Sequence, residues 1–248
     1  SRGIGRMIAE GFLSAGAERV YISARKADEL AATAAELGER CVALPGDVGT
    51  LEGIAALAEA IAAREGRLDV LVNNAGVAWG APFDAFPEAG WDKVMDLNVK
   101  SPFFLTQKLH GLLRAGAASG RIAKVIMIAS VDGLKLNPWE TYPYQASKAA
   151  LIHLTRRMAA HRAAEGIAVS GIAPGMFSSK MNRAAAVAAD RMGAQIPIGR
   201  IGEDEDMAAA AIYLASRAGD YGVGEPSPVD GGWVNAWLPQ DFVSASGE

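Results

Sequence analysis

Val125-Ile126-Met127-Ile128, entered from Lys124 and left through Ala129 and Ser130, is the stretch that decides the fold. Four consecutive large apolar residues without polar alternation describe a strand covered on both faces, as in a parallel sheet flanked by helices. Similar short apolar runs stand at 19–23, 41–44 and 68–72 before it and at 167–172 after it. Ala-rich amphipathic stretches separate them, at 26–37, 51–64, 91–114, 144–164 and 204–216. Each parallel return needs a crossover of about this length, so the spacing predicts a doubly wound α/β fold.

In such sheets ligands bind beyond the carboxyl ends of the strands. The unusual polar residues gather at those ends. Arg25 and Asp47 follow the runs at 19–23 and 41–44, Asn73-Asn74-Ala75-Gly76 closes 68–72, Ser130 follows 124–129, and Pro174-Gly175 follows 167–172.

Composition narrows the function classes. The 248 residues, half of them apolar and 21% charged, suit one substantial core. A net charge of -4 offers no basic field for nucleic acid or an anionic membrane. One cysteine and three histidines assemble neither a disulfide framework nor a Cys/His metal cluster. The start, Ser1-Arg2-Gly3-Ile4-Gly5-Arg6, lacks the layout of a signal peptide, and a soluble cytoplasmic setting is expected.

Three local patterns carry chemistry. Gly3-Ile4-Gly5 precedes the periodic apolar residues Met7, Ile8, Phe12 and Leu13, and so reads as a helix start that offers free N–H groups to a pyrophosphate. Alone it is equally an ordinary glycine turn. Tyr144 and Lys148, four apart on a helix, share a face. A phenol titrates near about 10 and needs help to act as a base, and a cation within a few ångströms lowers it by roughly 1–3 units. Ser130 places a hydroxyl at the functional edge of the sheet, either to bind a carbonyl oxygen or to cap a turn. Asn98 is a mediocre helix former whose amide needs partners if buried, whether in catalysis or in a structural hydrogen bond.

Taken in order, Gly3-Ile4-Gly5, Asn73-Asn74-Ala75-Gly76, Asn98-Val99, Ser130, Tyr144 to Lys148, Pro174-Gly175 and Asp230-Gly231-Gly232 resemble the short-chain dehydrogenase/reductase family in its single-domain branch. The resemblance runs from residue 1 to about 233, leaving 234–248 as a C-terminal tail. It implies a Rossmann sheet of order 3-2-1-4-5-6-7 and hydride transfer at a nicotinamide. It makes Tyr144 the acid/base, Ser130 the ligand of the substrate oxygen, Lys148 the holder of the ribose hydroxyls and tuner of Tyr144, and Asn98 the support of a proton relay.

The same resemblance assigns a cofactor site. Ser1, Arg2, Gly3, Ile4 and Gly5 take the pyrophosphate side, Asp47 and Val48 the adenine, Asn74, Ala75 and Gly76 the adenosine side, and Pro174, Gly175 and Ser179 the nicotinamide amide. Arg25 stands where NAD-preferring members carry an acidic residue, and a guanidinium there suits a 2′-phosphate, so NADP(H) is expected, with Arg2 as a second cation. A homotetramer is expected on the same ground.

Within the family the chain is similar to 3-oxoacyl thioester reductases, particularly those linked to rhamnolipid synthesis. Trp79-Gly80, the separation of fourteen between Ser130 and Tyr144, and Ile196-Pro197 ahead of Gly199-Arg200 carry that likeness. Substrate choice is expected in the loop 131–142 and the lid 176–195, with Trp79, Trp139 and Phe177 as apolar walls. The competing readings are a reductase of a small or cyclic ketone, steroid or sugar-derived, and a non-catalytic NADP-binding sensor.

One feature of the family has no counterpart. Its first strand, central in the sheet between 19–23 and 68–72, and the Thr-Gly that opens its phosphate loop are absent from the sequence. Buried ladders need partners on both sides. The expectation is therefore an upstream strand in the natural protein, with weak NADPH binding by residues 1–248 alone. In the alternative, the tail segment 241–247 fills the place as a permuted strand; otherwise the tail is a flap or a loose end.

Overall fold

The structure, a computed structural model, describes residues 2–178 and 189–238. Helix α1 (Gly3–Ser14) leads into β1 (Val20–Ala24), α2 (Ala27–Leu37), β2 (Cys41–Pro45), α3 (Leu51–Ala62) and β3 (Val70–Asn73). There follow α4 (Glu88–Met95), a π-helical turn (Asp96–Lys100), α5 (Ser101–Ala117), β4 (Ala123–Ile128), a 3-10 turn (Val131–Gly133) and α6 (Tyr142–Arg162). Then come β5 (Ile167–Pro174), the short α7 (Ala189–Gly193), α8 (Asp204–Ala215) and β6 (Pro226–Val229).

All strand pairs are parallel, and every residue of β4 and of β5 is buried. Alternate residues of β4 serve opposite layers. Val125 and Met127 join the core under α3, α5 and α6, while Ile126 and Ile128 join the core under α1 and α8. That division is why the run has no polar member: both faces of the pleat meet helices. A third cluster seats α2 and the outer flank of α1 on β1 and β2. Helices α1 and α8 meet closely, for a Cβ on Gly11 would stand 2.6 Å from that of Ala208.

The resemblance implies one continuous sheet. Among the described residues the strands form two, β1-β2 and β3-β4-β5-β6, and no described strand bridges them. β1 and β3 do not pair with each other, which agrees with the expected order of the strands present. The segment 241–247 lies outside the described residues.

The stretch expected as one helix over 91–114 is instead α4, the π turn and α5 in succession. One wider turn inserts an extra residue and re-aims the side chain at its centre, a device frequent at functional sites. Here that side chain is Asn98. Among the described residues no helix is long and apolar enough to cross a membrane, and no group of three or more His, Cys, Asp and Glu is placed to hold a metal ion.

Candidate active site

The β4 strand ends at Ile128, and Ser130 caps the 3-10 turn that follows, its Oγ accepting from the Asp132 N–H at 3.1 Å. Gly133 in that turn lies flat against α6: a Cβ there would meet the Lys148 carbonyl carbon at 2.7 Å and the Ala149 nitrogen at 2.8 Å. This close approach brings Ser130 to Tyr144 and Lys148, which the sequence separates by fourteen and eighteen positions. The Ser130 hydroxyl lies near enough to the Tyr144 hydroxyl to act against the rise of its pKa. Lys148 Nζ donates to the Ile128 carbonyl at 2.8 Å and lies 5.6 Å from the centre of the Tyr144 ring.

Asn98, fully buried, ties the turn after β3 to α6. Its Oδ1 accepts from the Val77 N–H at 2.9 Å, and its Nδ2 donates to the Val77 carbonyl at 3.0 Å and to Ser147 Oγ at 2.9 Å. Ser147 Oγ in turn donates to the Tyr144 carbonyl at 2.7 Å. Gly76 stands at the meeting point: a Cβ on it would lie 3.3 Å from Asn98 Oδ1 and 3.6 Å from Lys148 Nζ.

The expected lowering of the Tyr144 phenol draws on Lys148 together with the positive ring of an oxidised nicotinamide; the chain's own groups set the opposite direction. Burial pushes Tyr144 up to about 12, with the Ser130 hydrogen bond opposing and the charge of Asp132 reinforcing the rise. Burial also brings Lys148 down to about 8, Asp132 partly opposing it. Desolvation wins at both groups because each loses water and neither gains an ion pair within 4 Å among the described residues. The result is a phenol that holds its proton at neutral pH.

Gly76 also borders a cleft of about 560 Å³ lined by Arg2, Arg25, Asp47 and, beyond the sequence expectation, Gly49, Thr50, Lys93 and Asp96. Arg2, Arg25 and Lys93 bring three cations to it. Arg25 stands 4.0 Å from Asp47, and Asp47 Oδ1 accepts from the Gly49 N–H at 2.9 Å. Helix α1 begins at Gly3, whose φ of 53° favours glycine, and a Cβ on Gly5 would stand 2.7 Å from Asn74 Nδ2, so the first turn of α1 abuts the turn after β3. Gly175 packs equally tightly on Asp230, at 2.7 Å.

Not every expected residue presents its side chain to this cleft. Ile4 and Val48 pack into the hydrophobic cores instead. Trp79 lies against Gly90 with Lys93 Nζ 5.5 Å from its ring, and Phe177 is buried against Gly202, so both are packing residues, whereas Trp139 is half exposed. Ser1 and Ser179, and half of the lid, lie outside the described residues. Lys93 and Asp132 escaped the sequence reading; the only available signals were the position of one on a helical stretch and of the other two residues past Ser130. The chain around the start of the tail packs back on the loop 131–142: Lys135 Nζ lies 4.6 and 4.3 Å from the rings of Trp233 and Trp237.

The chain matches, over residues 1–234, the family model described as enoyl-(acyl carrier protein) reductase. It is 47% identical over 238 residues to the rhamnolipids biosynthesis 3-oxoacyl-[acyl-carrier-protein] reductase of Pseudomonas aeruginosa, covering 94% of this chain and 93% of that one. It is 36% identical over 235 residues to a 2-dehydro-3-deoxy-D-gluconate 5-dehydrogenase of Dickeya dadantii, covering 94% and 91%. Among solved structures, the Pseudomonas aeruginosa RhlG/NADP active-site complex superposes with a TM-score of 0.89 at 47% identity, covering 93% of this chain and 92% of that one.

Proposed function

The chain belongs to the short-chain dehydrogenase/reductase family, and from that premise we propose that it is an NADPH-dependent reductase of a 3-oxoacyl thioester. One observation carries the reading: Gly76 joins the Ser130, Tyr144, Lys148 and Asn98 cluster to a cleft edged by Arg2 and Arg25. The residues present fit a 2′-phosphorylated dinucleotide. Glycines at 3, 5 and 76 leave room where a Cβ would collide or strain, the start of α1 offers N–H groups, and guanidinium groups await the extra phosphate.

NADPH, when bound, supplies the hydride. The chain's own residues handle the oxygen. Ser130 donates a hydrogen bond to the substrate carbonyl oxygen, and the Asp132 N–H that its Oγ accepts leaves its single proton free to do so. Tyr144, neutral at pH 7, gives its proton to the same oxygen. Lys148 holds the ribose hydroxyls with N–H groups left after its bond to Ile128, and Asn98 keeps the β3 turn and α6 in register.

The thioester is favoured over the sugar-acid alternative by 47% against 36% identity to the respective relatives. A panel of acetoacetyl thioester, 5-ketogluconate, a cyclic ketone and an enoyl thioester with NADPH tests this: the acetoacetyl thioester should show the highest kcat/KM. A higher value for any other member replaces the substrate assignment, and no carbonyl-dependent NADPH loss with any of them favours the sensor reading. The chain is also proposed to form a homo-oligomer, a tetramer being the family's habit, and a single monomeric boundary at micromolar concentration in sedimentation would refute it.

A further inference from the structure

The loop 131–142 joins the two hydroxyls that must meet a substrate carbonyl, since Ser130 precedes it and Tyr144 follows it. Gly133 presses its first turn onto α6. Its last residues are fastened to the chain after β3, where the Glu140 carbonyl accepts from the Ala81 N–H at 3.3 Å and the Glu140 carboxylate from the Phe83 N–H at 3.1 Å. Gln145 on α6 adds a bond to Asn137 at 3.2 Å. Lys135 alone of these ties reaches away from them, to the segment that follows β6. Its Nζ donates to the Trp233 carbonyl at 2.9 Å and lies over the rings of Trp233 and Trp237, 4.6 and 4.3 Å from their centres. The two rings meet edge to face with centres 6.0 Å apart. Such a clasp is directional, because indole attracts a cation over its face and the carbonyl fixes which way the ammonium points.

The segment that Lys135 grips is itself wound tightly. Asp230 Oδ1 accepts from the Gly232 N–H at 2.9 Å and Oδ2 from the Val234 N–H at 2.8 Å, and the Ala236 N–H donates to the Gly232 carbonyl at 2.8 Å. A Cβ on Gly231 would stand 2.6 Å from Ile198 Cγ2, and the Gly231 carbonyl accepts from the Ile198 N–H at 3.1 Å. Asp230 also packs on Gly175, whose N–H donates to the Val229 carbonyl at 2.9 Å. Gly175 belongs to the turn assigned to the nicotinamide amide, so Lys135 joins the wall that carries the hydroxyls to the wall that backs the hydride donor. We propose that Lys135 is a positioning residue, whose clasp on Trp233 and Trp237 holds the loop 131–142 at a fixed distance from the turn after β5 and so shapes the space in which the carbonyl substrate binds. The inference rests on the reductase reading for where the substrate lies, but not on which ketone is turned over. Ser130 and Tyr144 keep their own anchors in Gly133 and α6, so the clasp governs substrate binding more than the chemical step.

The test uses Lys135→Met, which keeps the stem and removes the ammonium, and Lys135→Arg, whose planar cation can still bond the carbonyl and stack on indole. Steady-state rates are measured on the full chain with saturating NADPH, for whichever of acetoacetyl thioester, 5-ketogluconate and the cyclic ketone the parent turns over best. Lys135→Met should raise the KM for that carbonyl about tenfold, with kcat within about threefold of the parent and NADPH affinity unchanged. Lys135→Arg should restore most of the KM. Trp237→Leu should raise KM by less, and should add nothing in the Lys135→Met background, because both substitutions break one clasp. Amide exchange over 131–142 in the NADP+ complex reads the clasp without turnover, and should quicken in Lys135→Met but not in Lys135→Arg. An unchanged KM or unchanged exchange in Lys135→Met, an equal rise of KM in Lys135→Arg, additive effects of the two substitutions, or a loss confined to kcat overturns the proposal. A parent that prefers a ketone other than the thioester, with KM following Lys135 as stated, leaves the proposal standing and sinks only the thioester reading.

Discussion

At Tyr144 and Lys148 the deciding quantity is desolvation. A phenol at about 12 stays protonated across the physiological range, so Tyr144→Phe removes the proton donor while leaving the ring in place. Ketone reduction should fall by about 10²–10⁴-fold, with NADPH affinity nearly unchanged by fluorescence titration; full kcat in the variant would remove Tyr144 from the mechanism. Lys148, brought down to about 8, loses its charge and one N–H as the pH rises through that value. The kcat/KM for NADPH, which reports the free protein, should therefore decline above pH 8, and Lys148→Met should be low at every pH with that limb gone. Arg25 is two-thirds exposed and only 4.0 Å from Asp47, so its value lies in what it offers a ligand. Arg25→Asp should abolish or reverse a preference for NADPH over NADH in kcat/KM, and equal use of both cofactors by the parent protein would refute the 2′-phosphate role.

At the scale of elements, the π turn between α4 and α5 is the feature with most consequence. It points Asn98 into a fully buried position where its amide makes three hydrogen bonds, two to Val77 and one to Ser147. Asn98→Ala leaves the half-buried Val77 N–H and carbonyl without their partner, at about 1–3 kcal/mol for each group that goes unpaired. Urea unfolding should show a loss of roughly 2–4 kcal/mol, and kcat should fall with it because Gly76 and α6 lose their tie. A stability change under 1 kcal/mol would show that water replaces the amide and that the turn is held by its own backbone.

Across the whole molecule, the strand ends that carry the proposed site stand opposite a buried charge at the other ends. Lys124, at the start of β4 and 2% exposed, reaches Asp220 at 2.5 Å, joining the central strand to the loop ahead of β6. Removing one partner of a fully buried pair costs about 3–5 kcal/mol, and because Asp220 is a third exposed the expected loss for Asp220→Ala is nearer 2–3 kcal/mol. For a chain of this size that lowers Tm by roughly 5–10 °C. Lys124→Met should be milder, since an apolar side chain fills the space without an orphaned charge; the reverse ranking would show that the ammonium matters for more than the pair.

The sequence by itself determined the class of fold and the order of its parts. An apolar run such as Val125 to Ile128 has one consistent environment, between two helix layers, and Tyr144 and Lys148 must share a face once their stretch is helical. Arg25 and Asp47 were legible as residues just past strand ends for the same reason: local periodicity tells where a strand stops. The tertiary structure alone decided which groups meet and at what electrostatic cost. Periodicity over 91–114 carries no sign of the π turn, because one inserted residue changes the aim of Asn98 without changing the composition around it. Burial depends on elements far apart in the chain, so the rise of Tyr144 and the fall of Lys148 emerge only when the turn after β4 closes on α6.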